Sequence, residues 1–372
     1  MFTYFNIVRF FRADLLIIGE TVTVNGLNIC PEKARSPKTP QNPQPTAKQP
    51  RIDLDDAPEI STFFDRTSEL STLENWISSR TRLITILGLS GIGKTALTLQ
   101  LIQHIQHAFD CIIWRSLHNA PPLASLQTDI IKFLSQQQET ELPDLINYLR
   151  SHRCLIILDD VQTIFSSQQL AGNYQPGYEN YGTFFKQIAE SSHNSCLILL
   201  SWEKPREIAA LESNPKNCQT LLLNGLGESA REIFIEKGLL ESEKWSELIE
   251  LYQGNPLWLN TAAAAIQDLF NGNISDFLSY DSLVLRDLEY LLDKHFQRLS
   301  DSEKQVMSWL ANQNKAVEIS KKPALLELSP SEFLKAVESL RRRLLIEKVQ
   351  KVDRTLFTLQ RAIAEYTKTN IL

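Results

Sequence analysis

The sequence predicts an α/β fold with a parallel β-sheet, followed by a small helical bundle and a C-terminal winged-helix domain. Three observations support this prediction. Short apolar segments alternate with helical periodicity up to about residue 223. From residue 225 onward the periodicity is helical, and near the end of the chain helices precede a pattern typical of a two-stranded hairpin.

The composition is that of a globular protein with two or three domains. Of the 372 residues, 43% are hydrophobic and 22% are charged. The net charge of −6 argues against a general nucleic-acid binder. Five cysteines, odd in number and without metal-ligand spacing, indicate a reducing compartment, so we expect a cytoplasmic protein with structural cysteines.

The N-terminal part does not predict a folded domain. Residues 1–30 are an uncharacterised segment whose apolar start is interrupted by Arg9, Arg12 and Asp14. The longest uncharged piece is too short to cross a membrane, so no membrane association is expected. Residues 31–58 contain seven of the 16 prolines and lack apolar periodicity, which predicts a linker, with the compact part beginning near Ile60.

The next part, residues 59–223, alternates strands and helices. The strand-like segments are LITIL (83–87), CIIW (111–114), CLIIL (154–158) and CLILL (196–200). Uninterrupted apolar segments of this length are typical of parallel strands that are buried on both faces. Helical patterns between them cover 95–107, 123–134 and 142–152. The polar segment 166–182, which is rich in Gly and Pro, is predicted to be a surface insertion.

The remaining residues divide into two predicted helical parts. Helices at 228–239, 243–253, 257–270 and 274–279 predict a bundle over 224–283. Residues 284–372 carry helices at 284–297, 301–311, 322–327 and 331–344, then a hairpin of 345–350 with 355–360. Helices followed by a hairpin are the pattern of a winged-helix domain.

The segment GLSGIGKT, residues 88–95, matches the phosphate-binding loop GxxxxGK[ST]. Glycines let the backbone N–H groups turn toward a phosphate, Lys94 supplies a positive charge, and Thr95 offers a hydroxyl to Mg²⁺. A buried strand precedes the loop and a helix follows it, as this motif requires. The predicted nucleotide-binding residues here are Gly88, Ser90, Gly91, Ile92, Gly93, Lys94, Thr95 and Ala96.

The segment CLIILDDV, residues 154–161, carries two acidic residues to the carboxyl end of a predicted strand. Ligands bind at this edge in open α/β sheets. Asp159 is predicted to hold Mg²⁺, while Asp160 is predicted to orient or deprotonate an attacking water, with Lys94 as its catalytic partner. An Asp-rich turn without a metal is the alternative explanation.

Two further motifs are weaker on their own. Ser201 follows the strand CLILL, and its hydroxyl is predicted to contact a γ-phosphate. The segment GNPL, residues 254–257, separates two predicted helices, and Pro256 occupies the favoured first position of the second.

Taken in order, the loop, the Asp-Asp strand, the Ser-ended strand, the GNPL corner and the winged helix resemble the NB-ARC proteins, a branch of the STAND signalling NTPases. The resemblance extends over about residues 52–372 and is strongest to the NTPase module of bacterial NB-ARC proteins with WD repeats. Segments that carry it include FFDRTSELSTLENWI (63–77), IIWRSLHNAPPL (112–123), YQPGYENYGTFF (174–185), GNISDFL (272–278) and RLSDSEKQVMSWLA (298–311).

The resemblance implies roles for further residues. Arg66 matches an arginine that lies against the base and ribose, although Asp65 replaces the glycine that usually precedes it. Pro256 matches a proline that packs on adenine. Gln360 stands where the family has the histidine that binds ADP, and we expect it to donate a hydrogen bond to the β-phosphate. Trp202 replaces the arginine that usually meets the γ-phosphate, and Arg206 is the nearest residue able to compensate.

The function implied is a signalling switch that binds ADP with Mg²⁺ in a closed state and exchanges it for ATP, with slow or weak hydrolysis. A protein partner or self-oligomerisation on activation is also implied. Two alternatives stay open: a continuously cycling motor-type ATPase, and a winged-helix transcriptional regulator. The second depends on a net charge of +4 over 284–372, with 16 basic and 12 acidic residues, and on the run Arg341–Arg343.

Overall fold

The computed structural model describes residues 49–60, 62–136, 145–280, 286–313, 315–320, 322–351 and 354–370. The predicted N-terminal segment 1–30 and most of the predicted linker lie outside these residues. The described residues belong to a single compact unit.

Six strands form one sheet, in which every neighbouring pair is parallel. They are β1 (Arg51–Asp53), β2 (Leu83–Leu87), β3 (Cys111–Ser116), β4 (Cys154–Asp159), β5 (Cys196–Ser201) and β6 (Cys218–Leu222). The order across the sheet is β1-β3-β4-β5-β2-β6. Every residue of β2 and β5 is buried, which is why both read as uninterrupted apolar segments. The predicted parallel α/β sheet is confirmed.

Helices cover both faces of this sheet. They are α1 (Thr67–Ser78), α2 (Lys94–Ile105), α3 (Leu123–Leu134), α4 (Leu145–Ser151), α5 (Asn180–Glu190) and the short α6 (Ile208–Leu211). Leu73 of α1 and Leu97 of α2 share a hydrophobic cluster with Ile84 of β2. Helices α3, α4 and α5 pack in a second cluster on the opposite face, as expected of a doubly wound sheet.

The linker predicted over residues 31–58 is wrong at its C-terminal end, because residues 51–53 form the edge strand β1 of the folded domain. Arg51 pairs with Cys111 in the sheet register, and its guanidinium donates to the carbonyl of Leu134 at 2.8 Å. Asp53 forms an ion pair with Arg115 at 2.7 Å. Leu134 and Arg115 lie 83 and 62 residues from their partners in this short strand, so local composition does not reveal it.

The second half of the chain is helical and shares a single hydrophobic core. Its helices are α7 (Arg231–Lys237), α8 (Trp245–Leu251), α9 (Pro256–Phe270), α10 (Ile274–Leu278), α11 (Arg286–Phe296), α12 (Asp301–Ala311), α13 (Pro330–Arg342) and α14 (Arg361–Asn370). Phe234, Trp258, Phe333 and Tyr366 all belong to this core. The predicted boundary at residue 283 lies outside the described residues.

A second sheet lies within this helical part. Strands β7 (Val317–Glu318), β8 (Glu347–Lys351) and β9 (Arg354–Thr358) pair antiparallel in the order β7-β9-β8. The β8–β9 pairing is the hairpin that the sequence predicts. The predicted helix at 322–327 is wrong: residues 324 and 325 form a turn, and Leu325 stays 71% exposed, so a helix here would have little buried surface to stabilise it.

Two of these helices begin with a complete capping box. Ser300 and Glu303 form one at the start of α12, and Ser329 and Glu332 form the other at the start of α13. Each box satisfies backbone N–H groups that have no partner within the helix, and this fixes where the helix starts.

The segment 166–182 is not only the surface insertion predicted from its composition. Ser166 and Tyr174 are buried, and the N–H of Gly172 donates to the carboxylate of Glu203 at 2.8 Å. The segment therefore lies partly between the large sheet and the C-terminal helices.

The four cysteines among the described residues are buried and free. Each of them is the first residue of a strand, where a thiol packs as a small apolar group. None of the described helices is long and apolar enough to cross a membrane.

Candidate nucleotide-binding site

The loop of residues 88–95 connects β2 to α2, as the phosphate-loop motif requires. Gly91 has φ of 78° and Gly93 has φ of 103°, which are left-handed conformations that glycine adopts without strain. A Cβ atom at Gly91 would also overlap the side chain of Leu257, so there is no space for any other residue. The loop is therefore held against the start of α9.

The carbonyls of this loop are turned outward and bound by protein groups. The ammonium of Lys94 donates to the carbonyls of Gly88 at 2.8 Å and Leu89 at 3.2 Å. The first backbone hydrogen bond of α2 runs from Leu97 to Gly93, so the N–H groups of Lys94, Thr95 and Ala96 have no acceptor within the helix. These N–H groups make the start of α2 an anion-binding end.

Three distant residues bind the other loop carbonyls. Asn255 donates from Nδ2 to the carbonyl of Ser90 at 3.0 Å, and the N–H of Leu257 donates to the carbonyl of Gly91 at 3.3 Å. Arg66 donates from Nη2 to the carbonyl of Ile92 at 3.1 Å. We call Asn255, Leu257 and Arg66 the carbonyl clamp, because together they fix the outer side of the loop.

Arg66 is buried, and it supports the loop. Its guanidinium also contacts Glu69 at 2.8 Å and the carbonyl of Gly225 at 3.4 Å. Asp65, at the usual glycine position, has φ in the ordinary range, and its carboxylate accepts from the N–H of Thr67 at 3.1 Å. The turn before α1 therefore forms without glycine.

Pro256 is the first residue of α9 and is half-buried, but it does not line the neighbouring cavity. The residue that reaches the loop is Asn255, which also caps α9 by accepting from the N–H groups of Leu257 and Trp258. Sequence reasoning missed the contact of Asn255 with the loop. An asparagine directly before a proline that starts a helix predicts a helix cap, but it does not predict a contact with the phosphate loop.

Replacing Asn255 by alanine should weaken both the fold and nucleotide binding. The change removes a helix cap, which costs about 1 kcal/mol, and it frees the carbonyl of Ser90. We expect the affinity for ADP, measured by calorimetry, to fall roughly tenfold, the equivalent of one hydrogen bond.

The matched control is Asn273→Ala. Asn273 caps α10 by accepting from the N–H of Asp276 at 2.9 Å, so its loss costs a similar amount of stability. Affinity should stay unchanged in this control. Equal loss of affinity in both variants would show that Asn255 acts only through stability.

Thr95 and Asp159 lie together at the metal side of the loop. The hydroxyl of Thr95 donates to Oδ2 of Asp159 at 3.0 Å. Burial raises the pKa of Asp159, as does the charge of Asp160, while its hydrogen bonds and Lys94 oppose the shift. A hydroxyl and a carboxylate are ligands that Mg²⁺ accepts, and nucleotide phosphates usually complete its shell.

Among the described residues, no group of three or more His, Cys, Asp or Glu side chains could hold a metal ion by itself. A metal at Thr95 and Asp159 would therefore depend on the phosphates for its other ligands. This fits a metal that arrives with a nucleotide.

Asp160 adopts a left-handed backbone conformation directly after β4, with φ of 56°. Its N–H donates to Oδ1 of Asp159 at 2.8 Å, and its own carboxylate accepts from Nε2 of Gln162 at 2.8 Å. The two acids are therefore held side by side. The role predicted for Asp160, orienting or deprotonating an attacking water, stays a prediction.

Ser201 ends β5 beside the loop, since its carbonyl accepts from the N–H of Gly88 at 3.2 Å. Its hydroxyl is engaged in a tight turn: it donates to the carbonyl of Glu203 at 2.7 Å and accepts from the N–H of Glu203 at 3.0 Å. The hydroxyl that was predicted to contact a γ-phosphate therefore binds the backbone of Glu203 in this conformation.

Trp202 is buried, and its ring lies 4.3 Å from that of His295 in α11, measured between centroids. Arg206, the predicted compensating cation, instead pairs with Glu207 at 2.9 Å and lies over the ring of Tyr174. The structure does not bring Arg206 to the loop.

A cavity of about 430 Å³ opens beside the loop. It is lined by Gly88, Leu89, Ile92, Leu222, Leu223, Asn224, Gly225, Gln253, Asn255, Arg341, Leu344, Ile346, Glu347, Lys348 and Gln360. The sheet domain, the bundle and the C-terminal part therefore all contribute walls. Gln360 lines the cavity, its Nε2 donates to Glu347 at 3.1 Å, and its Oε1 has no partner among the described residues. Its hydrogen bond to a β-phosphate stays a prediction.

Desolvation of the partly buried Lys94 ammonium lowers its pKa to about 8, against the opposing charges of Asp159 and Asp160. A phosphate binds the protonated amine, so binding should take up a proton once the pH exceeds this value. We expect ADP affinity to decrease as the pH is raised from 7 to 9.5, by at most tenfold per pH unit. Calorimetry in buffers of different ionisation enthalpy would measure the proton uptake, and a flat profile would contradict the prediction.

A group of buried charges connects the sheet domain to the C-terminal part. Arg343 donates from Nη1 to Glu203 at 2.6 Å and from Nε to Glu303 at 2.9 Å, and all three side chains are fully buried. We call these three residues the buried charge cluster. Burial raises the pKa of Glu203, and the charges of Arg343 and Arg298 oppose this.

The run Arg341–Arg343 is therefore not a single exposed basic patch. Arg343 belongs to the buried charge cluster, and Arg342 pairs with Glu338 at 3.0 Å. Arg341 lies 6.0 Å over the ring of Phe357 and lines the cavity. Only Arg343 of this run is used inside the protein, since Arg341 is exposed and Arg342 forms a partly exposed ion pair.

The chain is similar to several known proteins. Residues 66–171 match the NB-ARC domain. Over 352 residues the chain is 39% identical to an uncharacterized WD repeat-containing protein of Nostoc sp., a match that covers 88% of this chain and 28% of that protein. It is also 27% identical over 201 residues to disease resistance protein RRS1 of Arabidopsis thaliana, which covers 52% of this chain and 14% of that protein.

Two solved structures from archaea are similar. A Walker-type ATPase of Pyrococcus abyssi is 15% identical with a TM-score of 0.53, and the match covers 86% of this chain and 98% of that one, which shows a shared fold. A STAND protein with a tetratricopeptide repeat sensor from Pyrococcus horikoshii is 19% identical with a TM-score of 0.42, covering 84% and 43%.

The chain spans less than a third of the length of the curated relatives that it matches. Residues 66–171 carry an NB-ARC domain, and over most of its length the chain is similar to part of a WD repeat-containing protein of Nostoc sp..

Proposed function

We propose that this protein is a nucleotide-dependent signalling switch that closes around ADP and Mg²⁺ and opens when ATP replaces ADP. The observation that carries the proposal is the carbonyl clamp. Asn255 and Leu257 come from the start of α9, yet they bind two carbonyls of the phosphate loop. The position of the bundle and the shape of the loop are therefore linked.

The cavity supports the same proposal. Its walls come from the loop, from Gln253 and Asn255 of the bundle corner, and from the C-terminal segment 341–348 with Gln360. A ligand bound there contacts all three parts at once and favours the closed arrangement. We propose that the C-terminal part is a winged-helix domain that covers this site and does not bind DNA.

The energetics are feasible for a switch. Changing a closed-to-open ratio from 99:1 to 1:99 requires about 5.5 kcal/mol of differential binding between the two nucleotides. A γ-phosphate with its Mg²⁺ supplies part of this through charge-assisted contacts. The rest must come from a protein partner or from self-association on activation, which we propose as the output.

We also propose that the protein hydrolyses ATP slowly. Trp202 occupies the position of the usual arginine, and Arg206 is paired elsewhere, so neither supplies a charge for a developing γ-phosphate. Lys94 and Asp160 are the proposed catalytic residues. We expect ATP to be hydrolysed much more slowly than by a motor-type ATPase, whose typical rates are 1 s⁻¹ or more.

The test begins with the nucleotide that copurifies with the protein, identified by chromatography after denaturation. ADP at near one equivalent, and an increase in the radius of gyration on exchange for ATPγS in X-ray scattering, are expected. An empty protein that binds neither nucleotide would refute the proposal. Turnover of many ATP per minute without a partner would favour the motor alternative.

A further inference from the structure

A series of buried hydrogen bonds starts at the acidic pair and leads away from the phosphate loop. Nε2 of Gln162 donates to Oδ1 of Asp160 at 2.8 Å, and Oε1 of the same side chain lies 3.4 Å from the hydroxyl of Ser201. Gln162 is 6% exposed and Ser201 is fully buried. A buried amide needs protein partners for its polar atoms, and Gln162 finds them on two different strand ends of the site.

The hydroxyl of Ser201 also holds the turn that carries Glu203. It donates to the carbonyl of Glu203 at 2.7 Å and accepts from the N–H of Glu203 at 3.0 Å. The carboxylate of Glu203 accepts from Arg343 at 2.6 Å and lies 3.6 Å from Arg298, and both arginines belong to the C-terminal part. The hydrogen bonds therefore continue without a break from Asp160 to the buried charge cluster.

The contact between Ser201 and Gln162 is the weakest one in this series. A hydroxyl has a single proton, so the carbonyl of Glu203 and the amide oxygen of Gln162 compete for it. The bond to Glu203, at 2.7 Å, has the usual length for an O–H donor, whereas the contact with Gln162, at 3.4 Å, is longer than usual. In this arrangement the hydroxyl therefore stabilises the Glu203 turn. A shift of the amide toward Ser201 would draw the proton away from Glu203 and weaken that turn.

We propose that Gln162 is a positioning residue that couples the acidic pair of the nucleotide site to the buried charge cluster, and so to release of the C-terminal part. When Asp160 binds the attacking water, its bond to Gln162 weakens, the amide moves toward Ser201, and Glu203 loses its alignment with Arg343. This inference rests on the proposed function and deepens it, because it names the connection through which the triphosphate state opens the protein. Only the sheet domain detects the triphosphate, and the C-terminal part responds by moving away.

The test compares Gln162→Met with the wild-type protein. Methionine keeps the length of the side chain, removes both hydrogen-bonding groups, and leaves the hydroxyl of Ser201 bound to Glu203. The measured quantity is the rate of limited proteolysis between the sheet domain and α12, with Mg·ADP or Mg·ATPγS bound. In the wild type we expect ATPγS to raise this rate roughly tenfold over ADP, a typical coupling between two sites. In Gln162→Met both rates should agree within about twofold and stay near the slow wild-type rate with ADP.

Gln175→Met is the matched control. Gln175 is a half-buried amide of the same segment, and its Nε2 donates to the carbonyl of Thr163 at 2.6 Å. This variant also loses a hydrogen bond, but it keeps the connection between Asp160 and Ser201. The response to ATPγS should therefore stay at the wild-type value.

A second reference is the triple variant Arg343→Met, Glu203→Gln, Glu303→Gln, which lacks the buried charge cluster. We expect fast proteolysis of this protein with both nucleotides. Slow cleavage with both nucleotides, as expected for Gln162→Met, is therefore distinct from loss of the contact between the two parts. Calorimetry should show that Gln162→Met still binds both nucleotides, and X-ray scattering should show no increase in the radius of gyration with ATPγS. If Gln162→Met does not fold, Gln162→Asn, whose amide is one methylene too short for both contacts, is tested with the same expectation.

Three outcomes would overturn the inference. They are a wild-type response to ATPγS in Gln162→Met, an equal loss of response in Gln175→Met, and fast cleavage of Gln162→Met with both nucleotides. If the wild-type protein opens with ATPγS in these experiments, the proposed switch survives and only the role of Gln162 fails. If the wild type is cleaved at the same rate with ADP and ATPγS, the proposed function fails first.

Discussion

Replacing Lys94 by methionine is expected to abolish nucleotide binding, with the Kd for ADP rising by at least about a hundredfold. The ammonium is the positive charge closest to the loop, and its removal leaves a buried site with two acids, Asp159 and Asp160. Methionine retains the aliphatic stem, so the fold should persist. Calorimetry with Mg·ADP measures the change.

The control for this variant is Lys186→Met. Lys186 is an exposed residue of α5, and its replacement should leave ADP affinity within about twofold. Since Lys94 also binds the carbonyls of Gly88 and Leu89, circular dichroism should verify that the variant is folded. A folded Lys94→Met protein that still binds ADP normally would show that the loop is not the phosphate site.

The second large effect is expected for Arg343→Met. This change leaves Glu203 and Glu303 buried without their cation, and breaking such a pair costs about 3–5 kcal/mol of stability. The loss should appear in the free energy of unfolding measured with urea. Because Glu203 belongs to the sheet domain and Glu303 to α12, we also expect the C-terminal part to detach more easily, seen as faster proteolysis between the two.

Arg342→Met provides a control one residue away. Arg342 is paired with Glu338 in an exposed i,i+4 contact, which contributes about 0.3–0.5 kcal/mol. Adding Glu203→Gln and Glu303→Gln to Arg343→Met should recover much of the lost stability, because no uncompensated charge remains buried. Similar small losses for Arg343→Met and Arg342→Met would contradict the importance of the buried charge cluster.

The loop chemistry was predictable because it depends on local spacing. Lys94, Thr95 and the glycines are consecutive, and Asp159 follows an apolar strand whose burial is evident from its residues alone. Parallel strands then bring their carboxyl ends to one edge, so the contact between Thr95 and Asp159 follows from the sheet topology.

The rest of the site depends on contacts that no local pattern encodes. Asn255 reaches Ser90 across 165 residues, and Arg343 reaches Glu203 across 140. The sequence shows that a tryptophan, Trp202, stands where an arginine is usual. It does not show that His295 packs on the ring of this tryptophan.

The secondary-structure predictions that were wrong or missing have similar causes. Strand β1 is short and follows prolines, so its pairing with β3 decides its structure. The predicted helix at 322–327 covers fewer than two turns and has consecutive apolar residues without helical spacing, so a turn forms there instead. Helix α14 was not predicted, although it buries Ala362, Ile363 and Tyr366 in the helical core.

The carbonyl clamp has a consequence for kinetics. If Asn255 and Leu257 leave the loop when the bundle moves away, the loop loses two of the bonds that shape it. By thermodynamic reciprocity, any factor by which ADP favours closure is the factor by which closure tightens ADP. If ADP leaves only from the open arrangement, its residence time should follow the rate of bundle opening. A solvent-facing change that speeds this motion would shorten the lifetime of the bound state without touching the nucleotide.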